Sequence, residues 1–216
     1  LLVIHSGVEI ERFKTPAVDP DALRRSLRIS KSAAVVGFVG WLLPIKDPLT
    51  LLFAMKQVWK KVENAVVVFV GKGKLEPVLK KSAEAIGAEK KVILTGWRDD
   101  IPELMHMFDI FVLPSRNEGM GRVLVEAMAA GKPVIGSRTG GILDLIRHGE
   151  NGYLFEPGNA AELADRILTL AEDAGLRRRM GESGRKIAED YSTESMIEKI
   201  DALYGELIGD RISTGR

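Results

Sequence analysis

A doubly wound, Rossmann-like α/β fold, with about six parallel strands and helices on both faces, is predicted by three features of the 216-residue chain. Runs that are apolar throughout, AVVGFVG at Ala34–Gly40 and AVVVFVG at Ala65–Gly71, read as strands buried on both faces. They alternate with stretches whose apolar residues recur at helical spacing. Gly40, Gly71, Gly96, Ser115 and Ser137 follow strand ends, which puts their loops on the carboxyl rim where such sheets bind ligands. No linker or low-complexity tract interrupts the pattern, so residues 1–216 are expected to form one domain.

Taken in order, Leu1–Ile4 is expected to be a short strand, followed by a loop to Val18. Asp19-Pro20 then opens a short helix through Leu27 as a cap and first-turn pair. After the first buried run, Trp41–Lys46 forms a loop and Asp47-Pro48 repeats the cap. The next helix places Leu51, Leu52, Met55, Val58, Trp59 and Val62 on one face, which makes Trp59 a core residue. Gly71-Lys72-Gly73 turns the second run into a helix ending at Ile86. Further strands are expected at Val92–Leu94, Ile110–Leu113, Val134–Gly136 and Gly152–Phe155, with helices at Pro102–Met107 and Val123–Ala130. The latter stops at Gly131 with Pro133 beyond it. Asn159 and Glu162 have capping-box spacing ahead of Leu163, Ile167 and Leu170. Arg177-Arg178-Arg179 reads as a solvated helix face. A last helix, 193–209, carries Met196, Ile197, Ile200, Leu203, Tyr204, Leu207 and Ile208 at a 3.6-residue period and needs an apolar surface to lie on.

Composition excludes several classes. With 31 basic and 30 acidic residues there is no charge argument for nucleic acid or an anionic membrane. Without cysteine there are neither disulfides nor thiolate metal sites, which fits a reducing compartment. His5, His106 and His148 lack metal-ligand spacing and read as surface or loop residues, so no metal site is expected. No apolar run reaches membrane-spanning length and the N-terminus lacks a signal-peptide layout, so a cytoplasmic location is expected. The chain begins at Leu1, in mid-pattern, as a piece of a longer protein would.

The chemistry concentrates in PSRNEGMGRVLVEAMAAGKPVIGSRTGG, Pro114–Gly141. A strand, a glycine turn and a helix start present unpaired backbone N–H groups and a positive dipole end, which suits a phosphate. Glu118 and Glu126 would repel that phosphate unless they accept hydrogen bonds from hydroxyls. A ligand with a diphosphate between two diol-bearing rings, a nucleoside diphosphate sugar, satisfies both demands. The plainer alternative makes the two glutamates solvated companions of a helix N-terminus. Gly71-Lys72-Gly73 lacks the third glycine of a dinucleotide fingerprint, since Glu76 stands there, and Gly131-Lys132 is not a P-loop. Lys46 sits on the rim from which it could reach a phosphate. Arg98 could stack on a base, or pair with Asp99 and Asp100.

The pair Glu118 and Glu126 with the glycines between them, EAMAAGKPVIGSRTGG and HGENGYLFEPGN together resemble the C-terminal, donor-binding half of retaining GT-B glycosyltransferases of the group 1 or GT4 type. GVE, GFVG, KD, FVGKG and LTG extend the likeness over nearly all of the chain. The resemblance implies that Glu118 contacts the transferred sugar, that Gly119, Met120 and Gly121 approach the sugar and diphosphate through backbone N–H groups, and that Glu126 holds the ribose. It implies Lys46 at the diphosphate, with Glu118 and Lys46 as the catalytic pair, and Arg98 at the base. Gly40 and Trp41 complete the donor-binding set. Trp41 departs from the family, which commonly has Arg there. Arg116 or Arg122 could substitute, donor binding could be weak, or Trp41 could stack on another group.

The donor implied is a UDP-, GDP- or ADP-sugar with no separate cofactor, and transfer with retention, front-face, needs an N-terminal domain for the acceptor. Residues 1–18 would be the inter-domain strand and loop, the last helix would cross back onto that domain, and any membrane contact would be peripheral, through the N-terminal half. Half of a sugar-nucleotide epimerase and a non-catalytic nucleotide-sugar-binding module stay open as alternatives.

Overall fold

The computed structural model describes residues 3–213. Six strands form one parallel sheet in the order β3-β2-β1-β4-β5-β6: β1 Val35–Val39, β2 Val66–Val70, β3 Val92–Gly96, β4 Ile110–Leu113, β5 Val134–Ser137 and β6 Gly152–Phe155. All of β1, β4 and β5 is buried, as expected of continuous apolar runs covered on both faces, whereas the edge strand β3 is only partly so. The chain order reverses between β1 and β4, and the rim at this switch point carries the site.

Helices alternate with the strands: α1 Glu11–Lys14, α2 Pro20–Ser26, α3 Pro48–Val58, α4 Glu76–Ala85, α5 Ile101–Met107, α6 Arg122–Ala129, α7 Ile142–Leu145, α8 Ala160–Glu172, α9 Ala174–Glu189 and α10 Thr193–Ser213. One sheet face packs Leu104, Met105, Val125, Met128 and Ile187, from α5, α6 and α9, into a core with Phe108 and Phe111. On the other face, Leu51, Leu52 and Met55 of α3 meet Leu163 and Ile167 of α8. No helix among the described residues is long and apolar enough to cross a membrane.

Several expectations need correction. Of the strand expected at Leu1–Ile4, Leu1 and Leu2 lie outside the described residues, and Val3 and Ile4 are not in a strand. Their neighbour Val8 instead makes a single bridge at the junction of α9 and α10, donating to Tyr191 O and accepting from Thr193 N, outside the six-stranded sheet. The expected loop to Val18 contains α1, because Phe13 finds a buried place in the core beneath it. The helix α3 ends at Val58 rather than Val62, and Trp59 is only partly buried, its Nε1 donating to Ala65 O over 2.8 Å.

Asp19 does cap α2, but Asp47 does not cap α3: it is a buried residue at φ 45° whose carboxylate accepts from Thr50 Oγ1 at 2.9 Å and pairs with Arg116 at 2.9 Å. The helix after β2 starts at Glu76, since Gly71–Lys74 is held as a loop against the backbone after β1. Asn159 accepts from Glu162 N, yet Glu162 accepts from Glu156 N, leaving the capping box half made. Arg177 is not solvated: it donates to Leu170 O and Ala171 O, closing the end of α8, while Arg178 and Arg179 are exposed. Neither is His106 a surface or loop residue. It sits half-buried in α5, its Nε2 bonded to Phe13 O at 2.8 Å, and burial lowers its pKa.

Candidate functional site

At the carboxyl rim a pocket of about 350 Å³ opens between the loops after β1, β2 and β3 and the first turns of α5 and α6. Val39, Gly40, Trp41 and Lys46 line it from the first loop, Val70, Gly71 and Lys72 from the second, and Trp97 and Arg98 from the third. Ile101 of α5 and Val123 and Glu126 of α6 form the remaining wall. Five residues singled out from sequence, Gly40, Trp41, Lys46, Arg98 and Glu126, therefore meet in one cavity. Lys72, Trp97, Ile101 and Val123 were not singled out as ligand contacts. The strand-end rule that selected Lys46 could have selected Lys72 and Trp97, since both occupy the same place after β2 and β3.

Glu126 lies on the pocket face of α6, half-buried. Burial raises its pKa, Arg122 and Arg12 only partly offset that rise, and no hydrogen bond contributes. An ionised carboxylate in such a place is an acceptor without a donor, and two adjacent hydroxyls would satisfy it.

Glu118 precedes α6 in the loop after β4. Lys46 donates to its Oε2, and Ser115 Oγ donates to the same oxygen over 3.1 Å. Both partners of this ion pair are largely buried. The two residues expected to engage different parts of a ligand thus also neutralise one another. Glu118 is placed by its backbone, because its carbonyl accepts from Gly141 N at 3.0 Å and a Cβ on Gly140 would stand 2.0 Å from that same oxygen. Only glycine at 140, where φ is 48°, lets the loop after β5 come that close. Gly119, Met120 and Gly121 complete this loop, outside the pocket lining. Gly121 precedes α6 without a side-chain cap, which leaves first-turn N–H groups for other acceptors.

Arg98 takes the alternative left open by its sequence: its Nε donates to Asp100 Oδ1 over 2.7 Å and its Nη2 to Oδ2, lowering the Asp100 pKa. Its edge is engaged with Asp100, and Arg98 still lines the pocket. Beside it, Trp97 Nε1 donates to Asp99 at 3.1 Å, and the Trp97 ring packs against Trp41 with centroids 5.9 Å apart and planes tilted by 48°. Trp41 is 54% exposed. Neither arginine considered in its place lines the pocket: Arg116 is bound to Asp47, and Arg122 stands at the exposed start of α6.

The family model for glycosyl transferases group 1 matches residues 19–187, which span all six strands and all of the pocket-lining residues. The chain belongs to the group 1 glycosyltransferase family. Among curated members, N-acetyl-alpha-D-glucosaminyl L-malate synthase of Bacillus anthracis is 31% identical over 193 residues, 89% of this chain and 50% of that protein. A solved structure of Anabaena HepE in complex with UDP-glucose matches with a TM-score of 0.87 and 32% identity, covering 95% of this chain and 57% of that one. The C-terminal domain of the Francisella tularensis group 1 protein LpcC matches with a TM-score of 0.76 and 27% identity, and the match covers 85% of this chain and 97% of that one. This group 1 chain spans about half the length of the curated relatives it matches.

Proposed function

We propose that this chain is the donor-binding half of a retaining group 1 glycosyltransferase, and that it holds a nucleoside diphosphate sugar in the rim pocket. The observation that carries this reading is Glu126, a half-buried carboxylate facing the pocket with no hydrogen bond to explain its place. A ribose 2′,3′-diol supplies two donors at the spacing of one carboxylate. The base then lies toward Arg98 and Trp97, the diphosphate toward Lys46 and the uncapped start of α6, and the sugar toward Glu118. With one acceptor position taken by Lys46 and Ser115, Glu118 keeps its second oxygen for sugar hydroxyls. The leaving diphosphate gains charge as the glycosidic bond breaks, and a lysine and helix N–H groups aimed at it stabilise that charge.

UDP is the favoured nucleotide, because HepE, similar along 95% of this chain, is solved with UDP-glucose. The acceptor belongs to an N-terminal half. The face of α10 bearing Ile197, Tyr204 and Leu207, each about half exposed, is the surface that half would cover. Titrating this chain with UDP-, GDP- and ADP-sugars tests the donor site. Micromolar to millimolar binding, weakened about tenfold or more by Glu126→Ala, is expected. Absence of binding at millimolar concentration for all three would sink the reading. Retention is tested in the complete protein by the anomeric configuration of its product.

A further inference from the structure

Accepting the donor-site reading, Glu118 has to hold its orientation for the sugar while its neighbour Lys46 serves the diphosphate. Among the described residues two side chains donate to the Glu118 carboxylate, and both reach the same oxygen, Oε2: Lys46 through Nζ, and Ser115 through Oγ over 3.1 Å. A ligand makes different demands on these two donors. The Lys46 ammonium lines the pocket on a flexible four-carbon stem, and a diphosphate entering there brings it more negative charge than one carboxylate does. The Ser115 hydroxyl is neutral and short, and feels no such pull.

Ser115 is also held in place from both sides. It is fully buried, two residues beyond the end of β4. Ser137, the last residue of β5 and equally buried, donates its Oγ to Ser115 O, which continues the β4–β5 pairing past the register pair of Leu113 with Gly136. On the other side Arg116 N donates to Ile45 O at 2.8 Å, tying the residue after Ser115 to the loop that carries Lys46. Thr139 Oγ1 adds a bond to Arg116 O at 3.2 Å. The backbone under Ser115 is thereby fixed by the loops after β1 and β5 together. A serine has one O–H to give, and this one is committed to Glu118. Turning it away would leave a buried donor unpaired, which is costly.

We infer that Ser115 is the positioning residue for Glu118. When Lys46 turns from the carboxylate to the diphosphate, Ser115 keeps Oε2 and so leaves Oε1 aimed at the sugar hydroxyls. The terminal torsion of a glutamate has a broad, shallow preference, so without that anchor the carboxylate would rotate once the lysine has left.

The test titrates UDP, GDP and ADP and their glucose conjugates into this chain by calorimetry, in wild type, Ser115→Ala, Glu118→Ala and the double variant. The quantity read is the sugar increment, the ratio of affinities for a glucose conjugate and its own diphosphate. Ser115→Ala should lower that increment by about threefold to thirtyfold, as loss of one hydrogen bond does, and leave the diphosphate bound within about twofold of wild type. In the Glu118→Ala background the same substitution should change nothing, because a residue that acts through a carboxylate is silent once the carboxylate is gone. The inference is overturned if Ser115→Ala leaves the sugar increment at the wild-type value, if it weakens diphosphate and conjugate alike, or if it lowers the increment equally in the Glu118→Ala background. In those cases Ser115 has no effect, acts on the whole pocket, or acts by another route. Failure of wild type to bind any of these ligands, or a sugar increment that Glu118→Ala does not lower, would instead overturn the donor-site reading itself, and this inference with it.

Discussion

On the proposed donor-site reading, binding and stability oppose one another at Glu126. Desolvation raises its pKa in the folded chain above the ordinary carboxylate value of 4.5. Between those two values the folded state holds more proton than the unfolded one, so stability falls as pH rises through the window and the cost persists at neutral pH. Glu126→Gln should therefore raise the melting temperature of the ligand-free chain at pH 7 and leave it nearly unchanged at pH values well below 4.5. The same substitution should weaken UDP-sugar binding, because the amide presents one acceptor oxygen where the carboxylate presents two. A variant less stable than wild type at pH 7 would show that the carboxylate has a stabilising partner in the fold.

Between elements, close approaches of backbone fix the site more than side-chain contacts do. The loop after β5 reaches Glu118 O through Gly141 N, with Gly140 pressed against the same oxygen. Gly140→Ala should cost about 1–3 kcal/mol from overpacking, on top of the strain of a side chain at positive φ. It should also shift Glu118 and weaken sugar-nucleotide binding. Gly87→Ala is the matched control: φ is 66° there, but nothing lies within 4 Å of the new methyl group. Urea titrations should give Gly87→Ala the smaller loss and leave its ligand affinity at the wild-type value. Equal losses for the two would mean that backbone strain alone, and no contact with the Glu118 loop, sets the cost. Nothing local in the sequence distinguishes these two glycines. Gly140 is tight because of what β5 and β4 bring together across the sheet.

For the whole molecule, pH dependence above neutrality has an identifiable source. Lys132, just after α6, is half-buried, and its Nζ donates to His106 O over 2.8 Å. Burial lowers its pKa from 10.5 to about 8; Asp109 opposes that shift, and Arg24, Arg185 and Arg177 add to it. Over that interval the unfolded chain binds more proton than the folded one, so this lysine makes stability rise with pH from about 8 to 10.5, by at most about 3 kcal/mol. Other groups titrate there too, and the quantity to measure is the difference between wild type and Lys132→Met. The wild-type unfolding free energy should climb relative to the variant across that range. Parallel curves would mean that Lys132 keeps its ordinary pKa in the folded state.

The order of strands and helices, the parallel sheet and the family were legible in the sequence, because continuous apolar runs, helical periods and glycine spacing are local signals carried by neighbouring residues. So was the membership of Gly40, Trp41, Lys46, Arg98 and Glu126 in one rim, since parallel topology sends every strand-end loop to the same side. Charge pairing was not legible. Lys46 and Glu118 stand 72 residues apart, and Arg116 could have faced the pocket as readily as Asp47 until the loops after β1 and β4 were set side by side. Tertiary structure alone decided which cations are neutralised, because ion pairing depends on separations of a few ångströms that only the packed loops determine.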